Sequence, residues 1–339
     1  MRGASSTFVI AEAGVNHNGS LKLALELVES AQGCGADAVK FQTFKAERLV
    51  TREAVTAAYQ QRAMPDSMSQ YAMLKSLELS EADFRQIHQH CRACGIEFLS
   101  SPFDEISAAF LHELGMRTFK VPSGEITNIP LLETIGGLGK AVILSTGMCW
   151  LGEVEAALRT LKKVGAAEIT LLHCVTEYPA PYDEINLSAM ATLSNAFGVK
   201  VGYSDHTAGI EIPIAAVAMG ATVIEKHFTL DAAMSGPDHA ASMEPGDFQR
   251  MVQAIRHVES ARGDGLKQPA PCERANLDVV RKSIAAGQNI TEGEIITRSD
   301  LTMKRPGTGL PPSLLETIIG RRAARTIGAD QLLDWRDLA

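Results

Sequence analysis

Short apolar runs recur along the chain, each closing on polar residues and each followed by a stretch of helical period or a loop. The runs are Thr7–Ala11, Ala36–Val39, Ile96–Leu99, Thr118–Val121, Ala141–Leu144, Ile169–Leu172, Val199–Tyr203 and Ala221–Ile224. Continuous rather than alternating apolar character marks strands covered on both faces, as in a parallel sheet. Between the first two runs, Ser20 is placed to cap a helix over Leu21–Gln32, whose apolar positions Leu21, Ala24, Leu25 and Val28 share one face. Ser80 begins another helix, and a small-residue helix over Gly209–Met219 tolerates Pro213 because it falls in the first turn. Eight such strands with their returns predict an α/β protein with a parallel (β/α)8 TIM barrel. A doubly wound open sheet is the structural alternative, but no Gly-rich dinucleotide fingerprint follows the first strand. Residues 45–79, with Pro65, read as a long functional loop containing helical turns.

From Gly263 the pattern changes to Gly, Pro and charged residues. The expected organisation is a catalytic barrel over 1–265, a linker over 266–280 and a small β-rich domain over 281–339. Its strand-like pieces are Lys282–Ala286, Ile290–Glu294, Leu301–Gly307, Leu314–Ile319 and Ala323–Ile327. A unit of this size folds alone only marginally, so docking on another surface is expected.

Composition adds bounds. The 339-residue chain is 45% hydrophobic and 21% charged, enough to bury a full core. A net charge of −8 argues against nucleic acid or an anionic membrane as partner. No apolar run has membrane-spanning length, and the first residues lack a signal peptide's apolar segment, so a cytoplasmic protein is expected. The six cysteines sit in apolar or helical contexts, as reduced thiols do; Cys91 and Cys94 form a CxxC without a second pair and read as packing or surface thiols.

In a barrel the C-terminal strand ends share one rim, where such folds place their sites. Those ends carry Glu12, Lys40, Gln42, Ser101, Lys120, Ser123, Ser145, Tyr178, Ser204, His206, Glu225, Lys226 and His227. His206 and His227 close two strands joined by one helix, hence parallel neighbours, and two converging imidazoles suit manganese, zinc, cobalt or iron. Hydrogen bonding at polar strand ends is the plainer alternative for each imidazole. Lys40, Lys120 and Lys226 follow apolar residues and suit a phosphate and a carboxylate; internal salt bridges are their alternative. Glu12, Asp205 or Glu225 offers a base or a partner to the metal site.

These residues also lie in ordered motifs: Glu12–Gly19, Val39–Thr43, Val121–Glu125, Leu144–Met148, His173–Pro179, Gly202–His206, Glu225–Thr229 and Gly236–Asp238. Together they resemble the sialic acid synthases, over nearly the whole chain. The tail, with Arg281–Ser283 and Lys304–Gly309, resembles their C-terminal antifreeze-like SAF domain, of β-clip type. The resemblance implies condensation of phosphoenolpyruvate with N-acetylmannosamine and water to give N-acetylneuraminate and phosphate. C3 of phosphoenolpyruvate attacks the open-chain aldehyde, water adds at C2, and phosphate leaves by C–O cleavage. It also implies that His206 and His227 ligate a divalent metal, manganese or magnesium, acting as a Lewis acid.

By the same resemblance Glu12 is the catalytic carboxylate near C2. Lys40, Lys120, Ser123, Ser145 and Ser101 hold phosphoenolpyruvate, while Gln42, Tyr178, Ser204 and Asp238 lie on the sugar side. Arg305 reaches the N-acetyl end from the tail domain of a second copy, which implies a domain-swapped homodimer. Two departures fall on the sugar side: the loop Arg62–Met68 lacks an asparagine found in some members, and Thr176 replaces another. Legionaminic acid synthase, acting on 2,4-diacetamido-2,4,6-trideoxy-mannose, is therefore the alternative enzyme. A non-catalytic sugar-binding barrel is the alternative of another class, and a Schiff-base lysine aldolase fits less well.

Overall fold

The computed structural model describes residues 6–55 and 69–339, and the loop segment 62–68 singled out above lies outside them. Two compact units result, Met1–Gly263 and Asp264–Ala339. In the first, β1 (Phe8–Gly14), β2 (Ala38–Thr43), β3 (Glu97–Pro102), β4 (Thr118–Val121), β5 (Ala141–Ser145), β6 (Ile169–His173), β7 (Lys200–Asp205) and β8 (Val223–His227) make one sheet. Hydrogen-bonded neighbours run β3-β2-β1-β8-β7-β6-β5-β4, every ladder parallel. β3 and β4 then pack side by side, bringing the sheet to a near-closed barrel of TIM type.

The predicted helices form where their caps stand. Ser20 accepts from the Leu23 amide at the head of Leu21–Gly33, and Ser80 with Asp83 completes a capping box for Glu81–Cys94. Cys91 is fully buried in that helix and Cys94 lies 3.6 Å from His90 Nε2. The helix expected over Gly209–Met219 spans Glu211–Ala218. No helix of the described residues is long and apolar enough to cross a membrane.

A two-residue period sorts every strand. Odd positions of β1 (Val9, Ala11, Ala13), with Val39, Phe41, Phe98, Phe119, Val142, Leu144, Leu171 and Tyr203, join the cluster under the helices. The other parity faces the barrel interior, where Ile10, Ala38, Leu99, Ile143, Leu172 and Val223 make a floor. One step further along each strand, the same inward parity is occupied by Glu12, Lys40, Ser101, Lys120, Ser145, Ser204 and Glu225. Gly202 completes the floor layer: a Cβ there would stand 2.3 Å from the Val223 carbonyl oxygen and 2.7 Å from Leu172 Cδ2.

The second unit has its own small core of Ile284, Ala286, Ile290, Ile296, Leu310, Ile318, Ala323, Ile327 and Leu333. Its only ladder among the described residues pairs β9 (Ser283–Ala286) with β10 (Leu301–Lys304), antiparallel. Ile290 and Ile327 meet in an isolated bridge. Leu314–Ile319, expected to be strand-like, is instead helical over Leu315–Ile318: Pro311 and Pro312 open a turn there and Gly320, at φ 89°, ends it.

Candidate active site

The inward layer and the loops above it line an open cleft with a cavity volume of about 140 Å3. Of the barrel residues expected to act, it is lined by Glu12, Lys40, Gln42, Ser101, Lys120, Ser123, Ser145, Tyr178, Ser204, His206, His227 and Asp238. Arg305 lies in the second unit, immediately after β10. The cleft also includes Glu225, Phe103, Cys174 and Thr176. Of these, Glu225 and Cys174 continue the inward parity of β8 and β6, a signal already present in the strand alternation.

Two expectations need correction. Lys226 and Asp205 have the opposite parity, so they point out of the barrel and pair with each other, Lys226 Nζ donating to Asp205 Oδ2. The cleft therefore holds two lysines rather than three, and Asp205 is neither a base in it nor in contact with it.

The two lysines are held by internal ion pairs. Lys40 Nζ donates to Glu12 Oε2 and lies 3.7 Å from Glu225 Oε2, with Ser101 Oγ at 3.5 Å. Lys120 Nζ is 3.2 Å from Glu225 Oε1, which also accepts from Ser204 Oγ at 2.8 Å. Burial alone would raise the Glu12 carboxyl, yet the Lys40 and Lys120 ammonium groups hold it below the ordinary range. Burial likewise opposes the Lys40 charge, and Glu12 and Glu225 more than offset it, keeping Lys40 protonated. Glu12 is thus an anion and Lys40 a cation pinned beside it.

The imidazoles behave in the opposite way. Burial, then the neighbouring His227, lowers His206 to about 4; burial, then Lys40, lowers His227 to about 3. Both rings are neutral near pH 7, with centroids 5.6 Å apart, and the Tyr178 ring lies 4.2 Å from that of His206 at a tilt of 37°. His206 Nδ1–H donates to the Val175 carbonyl at 2.5 Å, which leaves its Nε2 lone pair available. His227 Nδ1, Ser145 Oγ and Thr176 Oγ1 are buried without a hydrogen-bond partner, each a cost that a polar ligand relieves. Neutral imidazoles with free lone pairs fit a divalent cation. Among the described residues no group of three or more His, Cys, Asp or Glu is arranged for one.

Asp238 belongs to the loop after β8, and residues between Glu12 and Ser20 hold that loop. Asn16 Nδ2 donates to the Phe228 carbonyl at 2.9 Å and to Ser242 Oγ at 2.8 Å, and Ser242 Oγ donates to the Asp238 carbonyl at 2.6 Å. Asn18 Nδ2 donates to the Ser235 carbonyl at 2.9 Å, while its Oδ1 accepts from His239 Nε2 at 3.3 Å. Burial, then the Glu12 carboxylate, pushes the Asp238 carboxyl up to about 7.

Residues 27–267 match the NeuB family and residues 281–339 the SAF domain. The N,N'-diacetyllegionaminic acid synthase of Campylobacter jejuni is 50% identical over 329 residues, covering 96% of this chain and 98% of that protein. The enzyme of the same name from Legionella pneumophila is 48% identical, covering 99% and 96%. The crystal structure of the N-acetylneuraminic acid synthetase from Leptospira borgpetersenii, in complex with citrate, superposes with a TM-score of 0.71 at 34% identity, covering 80% of this chain and 90% of that one. A barrel with this inward constellation, a SAF domain following it in sequence and full-length relatives that are synthases leave one assignment: the chain is an enzyme of the NeuB family.

Proposed function

We propose that the chain condenses phosphoenolpyruvate with 2,4-diacetamido-2,4,6-trideoxy-mannose and water, giving N,N'-diacetyllegionaminic acid and inorganic phosphate. The observation that carries the chemistry is the single cleft in which two pinned ammonium groups, two carboxylates and two neutral imidazoles converge. The choice of sugar rests on the two legionaminic acid synthases at 48–50% identity. N-acetylmannosamine, the sugar expected first from sequence, gives way to this one.

Lys40 and Lys120, with Ser101, Ser123 and Ser145, hold the phosphate and carboxylate of phosphoenolpyruvate by charge-assisted hydrogen bonds. C3 of the enol attacks the aldehyde carbon, forming the new C–C bond and placing positive charge on C2. Glu12, anionic and buried beside Lys40, stabilises that charge and takes the proton of the water that adds there. The resulting tetrahedral centre breaks its C–O bond to phosphate and leaves the 2-keto acid. His206 and His227 would hold manganese or magnesium, which supplies Lewis-acid polarisation of the aldehyde when bound. Gln42, Tyr178, Ser204 and Asp238 orient the aldose, and Arg305 is assigned to its N-acetyl end from a second copy in a domain-swapped homodimer.

Phosphate release from phosphoenolpyruvate, measured across aldoses with added manganese, tests the reading. The diacetamido sugar is expected to exceed N-acetylmannosamine at least tenfold in kcat/KM, a difference of about 1.4 kcal/mol in transition-state stabilisation. The reverse order would assign N-acetylmannosamine, and release that needs no sugar would remove the condensation altogether. Near-normal manganese-dependent turnover in His206→Ala or His227→Ala would remove the metal assignment.

A further inference from the structure

The layer between a barrel and its helices is ordinarily apolar, and a buried ion pair there seldom stabilises more than a hydrophobic pair of similar size. Asp205 and Lys226 nevertheless occupy it, their side chains 0% and 4% exposed. Neither lines the cleft. Each precedes one of the two imidazoles: Asp205 stands before His206, and Lys226 before His227. Their register is informative too. Asp205↔Lys226 is the last pair of the β7–β8 ladder, so His206 and Thr207 lie beyond its end.

His227 is secured independently. It pairs with Glu12 in the β1–β8 ladder, the next amide (Phe228) donates to the Glu12 carbonyl at 2.8 Å, and its own carbonyl accepts from Met243 at 2.9 Å. His206 is held from the β6 side, by Val175 at Nδ1 and by the Ala180 amide, which donates to its carbonyl at 2.9 Å. On the β8 side the connection is made by side chains. Lys226 Nζ donates to Asp205 Oδ2 and, past His206, to the Thr207 carbonyl at 2.7 Å. Asp205 Oδ1 accepts from the Thr207 amide at 3.2 Å and its hydroxyl at 2.9 Å.

We propose that Asp205, Lys226 and Thr207 form a clamp that prolongs β7–β8 pairing by one residue and so fixes the His206 imidazole at its distance from that of His227. These are positioning residues that act on the imidazole pair from behind. The proposal rests on the reading of His206 and His227 as ligands of a divalent cation. It explains why a costly pair is kept in an apolar layer: an unbraced strand end leaves two ligands with a variable separation, and a cation holds its ligands within tight limits.

The test is calorimetric titration of manganese into the metal-stripped full chain, alongside thermal unfolding and titration of phosphoenolpyruvate without metal. Asp205→Leu with Lys226→Met removes both charges without leaving either unpaired. Manganese affinity of this double variant is expected to fall about 10–100-fold, the usual effect of losing an outer support of a metal ligand. Its metal-free binding of phosphoenolpyruvate stays unchanged, which a general structural loss would not allow. Thr207→Val weakens manganese binding to a smaller degree and Thr207→Ser restores it. A folded double variant that binds manganese as tightly as the parent overturns the clamp. Should the double variant not fold, equal affinities for Thr207→Val and Thr207→Ser overturn it instead. Failure of the underlying reading looks different: the parent itself binds no manganese, or His206→Ala binds it equally well.

Discussion

Replacing Asp238 by Asn should stabilise the metal-free protein, and by an amount that grows with pH. The carboxyl moves from 3.8 to about 7, first through burial and then through the Glu12 anion. An acid whose folded pKa is raised loses stability as pH climbs from its unfolded value: between 3.8 and about 7 the unfolded chain releases a proton that the folded chain keeps. Above about 7 the folded chain holds a carboxylate where it is least welcome, and the penalty levels off. The full shift corresponds to about 4 kcal/mol. Asp238 as a residue is only half-buried, so solvent screening reduces the expected gain to about 2 kcal/mol. For a domain of this size that is a rise of about 4–8 °C in Tm at pH 8, shrinking to nearly nothing at pH 4. Thermal unfolding of parent and variant across this range is the assay. An equal difference at both ends would mean that Asp238 is ionised throughout and that its nearness to Glu12 carries no cost. Loss of sugar turnover is expected in the same variant, the familiar exchange between stability and function at a strained site.

Acid should act the other way through the buried histidines. His17 and His206 are lowered to about 4 and His227 to about 3, so their contribution is complete above pH 6.5 and disappears as pH falls toward those values. In the Asp238→Asn background, where the opposing carboxyl is gone, urea midpoints should fall between pH 7 and pH 5 by an amount equivalent to about 2 kcal/mol per histidine, and an unchanged midpoint would refute this. Asn18→Ala releases one end of the loop carrying Asp238; the aldose KM should rise with little change in Tm, and an unchanged KM would show that the loop holds itself. Gly202→Ala forces a methyl against the Val223 carbonyl and Leu172 and should cost about 1–3 kcal/mol in chemical unfolding, with no cost if β7 can shift. Arg305→Ala should raise the aldose KM and leave that of phosphoenolpyruvate alone; no effect on the sugar would remove the swapped contact.

The barrel was legible because its strands are apolar without interruption and end in chemistry-bearing residues. Of the barrel residues expected to act, all but Lys226 and Asp205 line one cleft. What failed was treating a strand end as a point instead of a pleat. Lys226 follows Glu225 and precedes His227, so a two-residue period already sends it to the opposite face, and Asp205 beside His206 obeys the same rule. Loops were less legible, since no period governs them: that Asn16 and Asn18 hold the segment bearing Asp238 depends on contacts more than 200 residues apart in sequence. In the second unit, Leu314–Ile319 misled because its apolar residues are compatible with strand or helix, and the flanking prolines and Gly320 decided the matter.

The charges of the cleft divide into two kinds. Those that are permanent are paired before any substrate arrives: Lys40 with Glu12 and Glu225, Lys120 with Glu225. Two ammonium groups against two carboxylates leave no surplus positive charge to attract an anion carrying both phosphate and carboxylate. Hydrogen bonds from these lysines and the neighbouring serines hold the anion, and further attraction comes from groups whose charge is not yet fixed. His206 and His227 are neutral near pH 7, so a dication bound to them adds its whole charge to the cleft, without repulsion from protonated rings. Asp238, close to half-protonated at about 7, is able to keep its proton when negative charge enters. Low histidine pKa, raised aspartate pKa and lysines held in salt bridges are therefore one arrangement. It keeps the buried site electrically balanced when empty, and the cation proposed for the two imidazoles would add to the hold that Lys40 and Lys120 already have on the anion.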